Sequence, residues 1–481
     1  MIPLLDAAEM RRVEQDAIAA WGIPSLLLQE HAALGALALL PRGERIQVLA
    51  GPGNNGGDAL ALARLARLRG EEVEVWTLEA SPSWHGDAAL QAALWEGLGG
   101  DYRFAPTPAS VIDGFRGWAV DGLFGLGVRL PLKGLAEAWV VALESRTETG
   151  LKVLALDLPT GLDPSSPEVS GPVLTADRTA CFGYLKLCHG LRPARDRCGV
   201  ISVIPIPLRE EPQPKVALLE KPEKPALRAW SSHKRDCGHV AIRAGSPGMS
   251  GAAVMAALGA LRMGAGLVTV LTSPEVRAEI AAQVPEAMVN TWEGRVPENV
   301  DALLVGPGGV NEIPEWGGPL VLDASALRPG EGAQWMQRPR TVITPHAGEF
   351  TRLFGLNQPL GPETSERLSG AGKVAEGPGI LVLKGAQSLV AGGGSDRLWV
   401  NPTGHPGLST GGTGDFLAGM VAAQMGMWQK RLGGTLAELR GAVAEAVWLH
   451  GAAADRLGRG PLLVRELGES LAGLLREIHG D

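Results

Sequence analysis

The residues best placed to do chemistry sit in glycine-rich turns, and the most specific is Leu408-Ser409-Thr410-Gly411-Gly412-Thr413-Gly414-Asp415-Phe416. Its glycines let the backbone approach a phosphate and point N–H groups at it. Asp415 then falls in the first turn of a helix-like run, Asp415–Ala423. There a carboxylate can cap the helix against its dipole, or take a proton from a hydroxyl that attacks the phosphate. Lys384-Gly385-Ala386-Gln387-Ser388 follows an apolar run and offers a cation with backbone donors suited to a nucleotide phosphate. Thr344-Pro345-His346-Ala347-Gly348-Glu349 brings a histidine and a carboxylate to another run's end, and Gly306–Gly309 and Gly245–Gly251 are further tight turns.

A second set lies in the first half of the chain. Gly51-Pro52-Gly53-Asn54-Asn55-Gly56-Gly57-Asp58 joins a strand-like run to a helix-like one. It is neither the G-x-G-x-x-G dinucleotide fingerprint nor a Walker loop. The glycines suit any tight strand-to-helix turn, but Asn54, Asn55 and Asp58 together suggest a polar ligand. Asp121-Gly122-Leu123-Phe124-Gly125-Leu126-Gly127 and Asp157-Leu158-Pro159-Thr160-Gly161-Leu162-Asp163 follow two more apolar runs. Each aspartate alone suits a turn former. Three loops delivering Asn, Asp and Thr oxygens to one crevice suggest a hard-cation site beside the ligand.

The elements that must position these loops alternate. Strands are expected at Ile46–Ala50, Val73–Leu78, Trp118–Asp121, Val153–Asp157 and Ile201–Pro205, with a helix at Ala59–Arg69. The second half repeats the rhythm at His239–Ala244, Leu267–Leu271, Ala302–Val305, Pro319–Leu322, Arg340–Ile343 and Ile380–Leu383. Two further strands, Ser388–Ala391 and Arg397–Val400, flank a turn at Gly392–Gly394, and Gly251–Arg262 is helical. Such βαβ alternation predicts α/β domains on doubly wound parallel sheets. Prolines among charges across Arg209–Pro225 read as a semi-extended linker. The expected layout is therefore residues 1–210, a linker over 211–228, and a second domain over 229–481.

Composition narrows the partners. At 481 residues the chain is too long for one ordinary core. A net charge of −8 argues against a nucleic-acid binder. Four cysteines without zinc-site spacing, three of them within Cys181–Cys198, suit a reduced, cytoplasmic chain. Met1–Asp6 runs into an acidic, helix-like segment rather than a basic and apolar leader. Gly251–Thr272, the most apolar long stretch, carries Arg262 and several glycines, so a membrane span is not expected.

These motifs carry two resemblances. Residues 1–210, through the three first-half loops and the amphipathic Leu26–Leu37, resemble NAD(P)H-hydrate epimerase with its Rossmann-like sheet. The resemblance implies that Asn54, Asn55, Gly56, Gly57, Asp58 and the segment holding Gly125, Gly127 and Pro131 contact hydrated NAD(P)H. It further implies that Asn55, Asp121 and Thr160 hold K+, and that Asp157 touches the nicotinamide ring as catalyst. The family often has Thr where Leu126 stands and Ser where Thr160 stands.

Residues 229–481 are similar to ADP-dependent NAD(P)H-hydrate dehydratase, a ribokinase-like α/β fold. The matching stretches are His233–Asp236, Gly245–Ala252, Val305–Gly308, Leu322–Ala324, Thr344–Glu349, Lys384–Ala386 and Asn401–Asp415. His405 stands where Asn is frequent. Here the resemblance implies hydrate contacts from Ala252, Gly308, His346 and Asp415, with Asp415 as base. It also implies adenine-nucleotide contacts from Lys384, Gly385, Ala386, Gln387, Ser388 and Gly414, with Mg2+ accompanying ADP. The expected activity is epimerisation of R and S hydrates, then dehydration of the S form while ADP becomes AMP and phosphate. Small molecules are the expected partners, in a homo-oligomer. The turn at Gly412–Asp415 alone also fits a ribokinase-like small-molecule kinase fused to a nucleotide-binding domain. A first domain kept only as a binding scaffold is a third reading.

Overall fold

The computed structural model of the chain describes residues 1–107, 115–145, 150–208, 212–225, 228, 230–361, 363–431 and 433–480. Two compact units divide it, Pro3–Pro214 and Lys215 onward.

In the first unit, β1 (Ile2–Leu5) precedes α1 (Ala7–Trp21) and α2 (Ser25–Ala38). The sheet then alternates: β2 (Ile46–Ala50), α3 (Asn54–Leu68), β3 (Val73–Thr77), α4 (Asp87–Gly97), β4 (Tyr102–Phe104), β5 (Trp118–Gly122), α5 (Gly134–Glu144) and β6 (Lys152–Leu156). β7 (Arg178–Phe182) and β9 (Val200–Ile204) complete it, and between them in the chain come the short β8 (Leu185–Lys186), which pairs with β1, and α6 (Leu187–Gly190). Strand order is β4-β3-β2-β5-β6-β7-β9, parallel throughout. Val48, Val120 and Leu154 pack on one face with α2, α3 and Trp95 of α4. Their chain neighbours Leu49, Ala119 and Val153 pack on the other with Trp139 and Val140 of α5. That alternation is what a strand covered on both faces requires. The order reverses between β2 and β5, so their carboxyl ends open a crevice.

The second unit has the same logic. β10 (Val216–Leu218), β11 (His239–Arg243), α7 (Ser250–Met263), β12 (Leu267–Thr272), α8 (Arg277–Gln283) and β13 (Met288–Thr291) lead to β14 (Ala302–Val305). β15 (Leu320–Leu322), α9 (Gly332–Gln337), β16 (Thr341–Ile343), α10 (Ala347–Leu353), α11 (Thr364–Val374) and β17 (Ile380–Leu383) follow. The antiparallel β18 (Leu389–Gly392) and β19 (Leu398–Val400) precede α12 (Thr413–Lys430), α13 (Leu436–Asp455) and α14 (Val464–His479). The order β13-β12-β11-β14-β15-β16-β17 is parallel and reverses between β11 and β14. β18 and β19 extend it.

Three expectations change. Val216–Leu218, read as linker, is a strand beside Leu398–Val400. It covers an edge that would otherwise expose unpaired backbone, and Pro214 and Pro222 lie outside the ladder, where they remove no bond. Residues 209–211, 226–227 and 229 of the expected linker and its flanks lie outside the described residues. Asn54–Asp58 are not loop but the opening of α3. Gly56 makes this possible, since a Cβ there would lie 1.7 Å from Gly51 O. Finally, β7 and β13 were not anticipated.

α7 and α12 cross at glycine contacts. A Cβ on Gly259 would fall 2.1 Å from Phe416 O, and one on Gly419 2.0 Å from Ala256 O. These are backbone atoms and cannot rotate away. Gly259→Ala and Gly419→Ala should each destabilise the second unit by about 1–3 kcal/mol through overpacking. Urea unfolding followed by circular dichroism measures the loss, and unchanged midpoints would contradict the crossing.

Candidate active sites

At the first unit's switch point lies a cavity of about 690 Å³. Asn54, Asn55 and Asp58 of α3, Gly125 and Gly127 of the loop after β5, and Asp157 after β6 all line it. Gly56, Gly57 and Pro131 are not in the lining. Gly57 is instead a clearance point, since a Cβ there would be 2.4 Å from Gln29 Nε2.

Asp157 is 6% exposed and adopts φ 62°, a left-handed conformation that costs a non-glycine residue energy. Its carboxylate is met by Lys186, whose ammonium is wholly buried and also donates to Phe182 O at 2.8 Å. Phe182 N donates to Asp157 Oδ1 at 3.3 Å. Burial opposes the charge on Lys186, but Asp157, with Cys181 and Glu14, outweighs it and raises the ammonium's pKa. Two more carboxyl groups line the cavity. Burial, then Asp157, pushes Glu14 of α1 up to about 7, against Lys186 and Arg11. Burial, then Asp157 and Glu14, raises Asp58 well above the usual range. Glu14 and Lys186 were missed. Lys186 left a signal, a lone charge in the apolar run Tyr184–Cys188; Glu14 left none, because acidic residues are ordinary on helix surfaces.

Beneath the lining, Asp121 is fully buried. Thr160 N donates to its Oδ2 and Thr160 Oγ1 to its Oδ1, both at 2.7 Å. Asn55 lies against the Gly125 loop, where a Cβ would be 3.2 Å from its amide carbon. Its buried Nδ2 has no hydrogen-bond partner. One formal charge among small polar groups suits a monovalent cation better than a divalent one.

In the second unit, the expected turn opens α12. Gly412 caps it at φ 94°, and Thr413 Oγ1 ties the turn to Leu408 O at 2.8 Å and Thr410 O at 2.9 Å. Asp415 is in the first turn, and burial, then Asp323, raises it to about 7, against Lys384. Lys384 Nζ bonds Asp323 Oδ1 at 2.6 Å and lies 3.9 Å from Glu349 Oε2. A Cβ on Gly414 would be 3.4 Å from the same ammonium. Burial opposes the charge on Lys384, and Asp323 and Glu349 outweigh it. Thr344 Oγ1 holds Asp323 at 2.8 Å.

His346 caps α10 through Nδ1, accepting from Gly348 N at 3.0 Å, while Glu349 Oε2 accepts from His346 N at 2.9 Å. That leaves Nε2 outward, 3.6 Å from Glu349 Oε1. Gly308 packs on Gly245 at the switch point, with Ser246 Oγ donating to Gly308 O at 2.7 Å, and Ala252 lies in the first turn of α7. The Lys384–Ser388 loop rests on Arg367, a buried guanidinium that donates to Leu383 O at 3.3 Å, Gln387 O at 3.2 Å and Ala386 O. Burial lowers Arg367 to about 10. Sequence reasoning missed this buttress, because an arginine on an amphipathic helix normally faces water. The donors, glycine turn and paired carboxylate can bind a polyphosphate and activate a hydroxyl against it.

The family described as NAD(P)H-hydrate dehydratase matches residues 240–467, and the YjeF-related protein N-terminus matches residues 27–188. The bifunctional NAD(P)H-hydrate repair enzyme Nnr of Gloeobacter violaceus is 34% identical, over 99% of this chain and 98% of its own. The enzyme of the same name from Escherichia coli K12 is 31% identical over 97% and 92%. The crystal structure of the ADP/ATP-dependent NAD(P)H-hydrate dehydratase from Bacillus subtilis, co-crystallised with ATP/Mg2+, covers 52% of this chain and 94% of its own. Its TM-score is 0.44 at 31% identity.

Lys186→Met removes one partner of a buried pair and should destabilise the first unit by about 3–5 kcal/mol in urea unfolding. For Asp415, the folded chain holds the proton up to about pH 7, where the unfolded chain has already lost it. Its ionisation therefore costs stability as pH rises through that window. Asp415→Asn should raise the thermal midpoint at about pH 8 and leave it unchanged below about pH 4. A difference independent of pH would contradict the burial of this carboxyl group.

Proposed function

Because the chain belongs to the bifunctional NAD(P)H-hydrate repair enzymes, we propose that residues 1–210 interconvert the epimers of hydrated NAD(P)H and residues 229–481 dehydrate the S form. The observation that carries this is Asp415 in the first turn of α12, beside Lys384 and the Gly411–Gly414 backbone. Full-length similarity to named repair enzymes supports the substrate.

In the second unit, Asp415 takes the proton of the substrate hydroxyl, whose oxygen attacks the terminal phosphate of ADP and displaces AMP. Lys384 and the turn's N–H groups stabilise charge on the transferred group. The ring nitrogen's lone pair then expels phosphate, and loss of a ring proton restores the dihydropyridine. Hydroxide is a poor leaving group and phosphate a good one, which is why the transfer precedes elimination. Glu349 Oε1, 3.6 Å from His346 Nε2, would offer an oxygen to Mg2+ accompanying the nucleotide phosphates. That ion would screen phosphate charge.

In the first unit, Asp157 is the acid-base group at the ring, with Asn54, Asn55 and Asp58 around the nucleotide. Asn55, Asp121 and Thr160 would hold K+, fixing the loops after β2, β5 and β6 against one another. We further infer a cytoplasmic homo-oligomer acting on small molecules. Among the described residues no helix is long and apolar enough to cross a membrane.

The test mixes both epimers of hydrated NADH with ADP and the full chain. Reduced-nicotinamide absorbance should return with equal amounts of AMP and phosphate, and Asp415→Asn should slow this at least about 10²-fold. A stable phosphorylated product without absorbance would identify a kinase instead. Asp157→Asn should consume only the S epimer rapidly and then stall. Continued consumption of the R epimer at the wild-type rate would remove Asp157 from the reaction.

A further inference from the structure

Resting on the epimerase reading of the first unit, we propose that Glu14 is its second proton-transfer group, serving the ring nitrogen while Asp157 serves the hydroxyl. Glu14, Asp58 and Asp157 all line one cavity, and among the described residues the buried cation there is Lys186, bonded to Asp157. Three ionised carboxylates around one ammonium repel one another strongly, so protons stay on the groups without a cationic partner.

Arg11, one turn before Glu14 on α1, hydrogen-bonds Leu126 O. The groups facing Glu14 are thus Arg11 of its own helix, Asp58 of α3, Asp157, and Lys186 of β8, with the exposed Arg129 and Lys133 on the same cavity's wall. Burial, then Asp157 and Glu14, keeps Asp58 above the usual carboxylate range. Glu14 loses its proton near neutrality, where a general acid works best. Two carboxyl groups in one cavity, one ion-paired and one not, mark a base and an acid.

The chemistry balances without another reactant. The hydroxyl proton passes to Asp157, and the bond between the carbinol carbon and the ring nitrogen breaks. Its electron pair goes to nitrogen, which takes the Glu14 proton, while the carbinol carbon becomes an aldehyde. Rotation presents the aldehyde's other face. Glu14 then recovers the proton from nitrogen as the C–N bond re-forms, and Asp157 returns its proton to oxygen. Both groups end as they began, so successive turnovers need no reset.

The experiment measures R–S exchange of hydrated NADPH by the full chain against pH, for wild type, Glu14→Gln and Asp157→Asn. ADP-dependent dehydration of the S epimer reports that the second unit is intact, and urea unfolding followed by circular dichroism, with two transitions at the wild-type midpoints, reports that the first unit of each variant is folded. Wild-type exchange should fall as pH rises through about 7. Glu14→Gln should be at least about 10²-fold slower and lack that alkaline limb. Wild type without the limb, or Glu14→Gln at the wild-type rate, overturns the assignment of Glu14. A slow Glu14→Gln that keeps the limb overturns it as well, because the titrating group would then lie elsewhere. Wild-type exchange by Asp157→Asn defeats the underlying site reading, and this inference with it.

Discussion

Each unit pairs a lysine with a buried aspartate at the carboxyl end of its parallel sheet, the lysine wholly buried in the first and half-buried in the second, and much of the local sequence follows from that pair. Lys186 meets Asp157 in one unit, and Lys384 meets Asp323 in the other. A buried ammonium without a counter-charge would lose its proton or unfold its surroundings. The pair must therefore be surrounded by backbone acceptors and hydroxyls, as Phe182 O and Thr344 Oγ1 are here. Once the cation is assigned to one carboxylate, its neighbours are left to titrate upward, and those neighbours are Glu14, Asp58 and Asp415.

The same ends need backbone where side chains would obstruct. Gly51 lies under the loop after β5, where a Cβ would be 1.8 Å from Leu123 O, and Gly306 lies 1.7 Å by the same measure from Asp323 O. These approaches bring the loops together at the two switch points, so that residues far apart in the chain share one crevice. Asp157, a non-glycine residue at φ 62°, is an exception, and its strain is held by the contacts to Lys186 and Phe182 N. A strained acidic residue fixed in this way is preorganised.

The strands that carry the sites were legible because both faces are covered. Ala302–Val305 and Ile380–Leu383 are continuous apolar runs and Ile46–Ala50 is one broken by Gln47 alone, each closed by a glycine or lysine turn. Arg178–Phe182 was not, since Arg178, Thr179 and Cys181 break the run and its pairing to β6 and β9 is non-local. Val216–Leu218 hid among prolines and charges, and pairing to the edge of β19 makes it a strand. Asn54–Asp58 looked like loop because asparagine and glycine favour turns. Close approach to Gly51 pulled them into α3.

What the sequence determined by itself is the kind of chemistry: a glycine turn ending in Asp415, a lysine-led loop at Lys384, and Asn54–Asp58 with Asp121 and Asp157 at strand ends. Those rest on local rules, because turn residues and helix termini act within a few positions of one another. Tertiary structure alone decided which charges meet. Glu14 on the first helix, Lys186 beyond the seventh strand and Arg367 beneath the Lys384 loop are distant in the chain from the groups they face. Their effect arises from burial and proximity, since desolvation strengthens every charge interaction at the site. A one-dimensional pattern carries no measure of either.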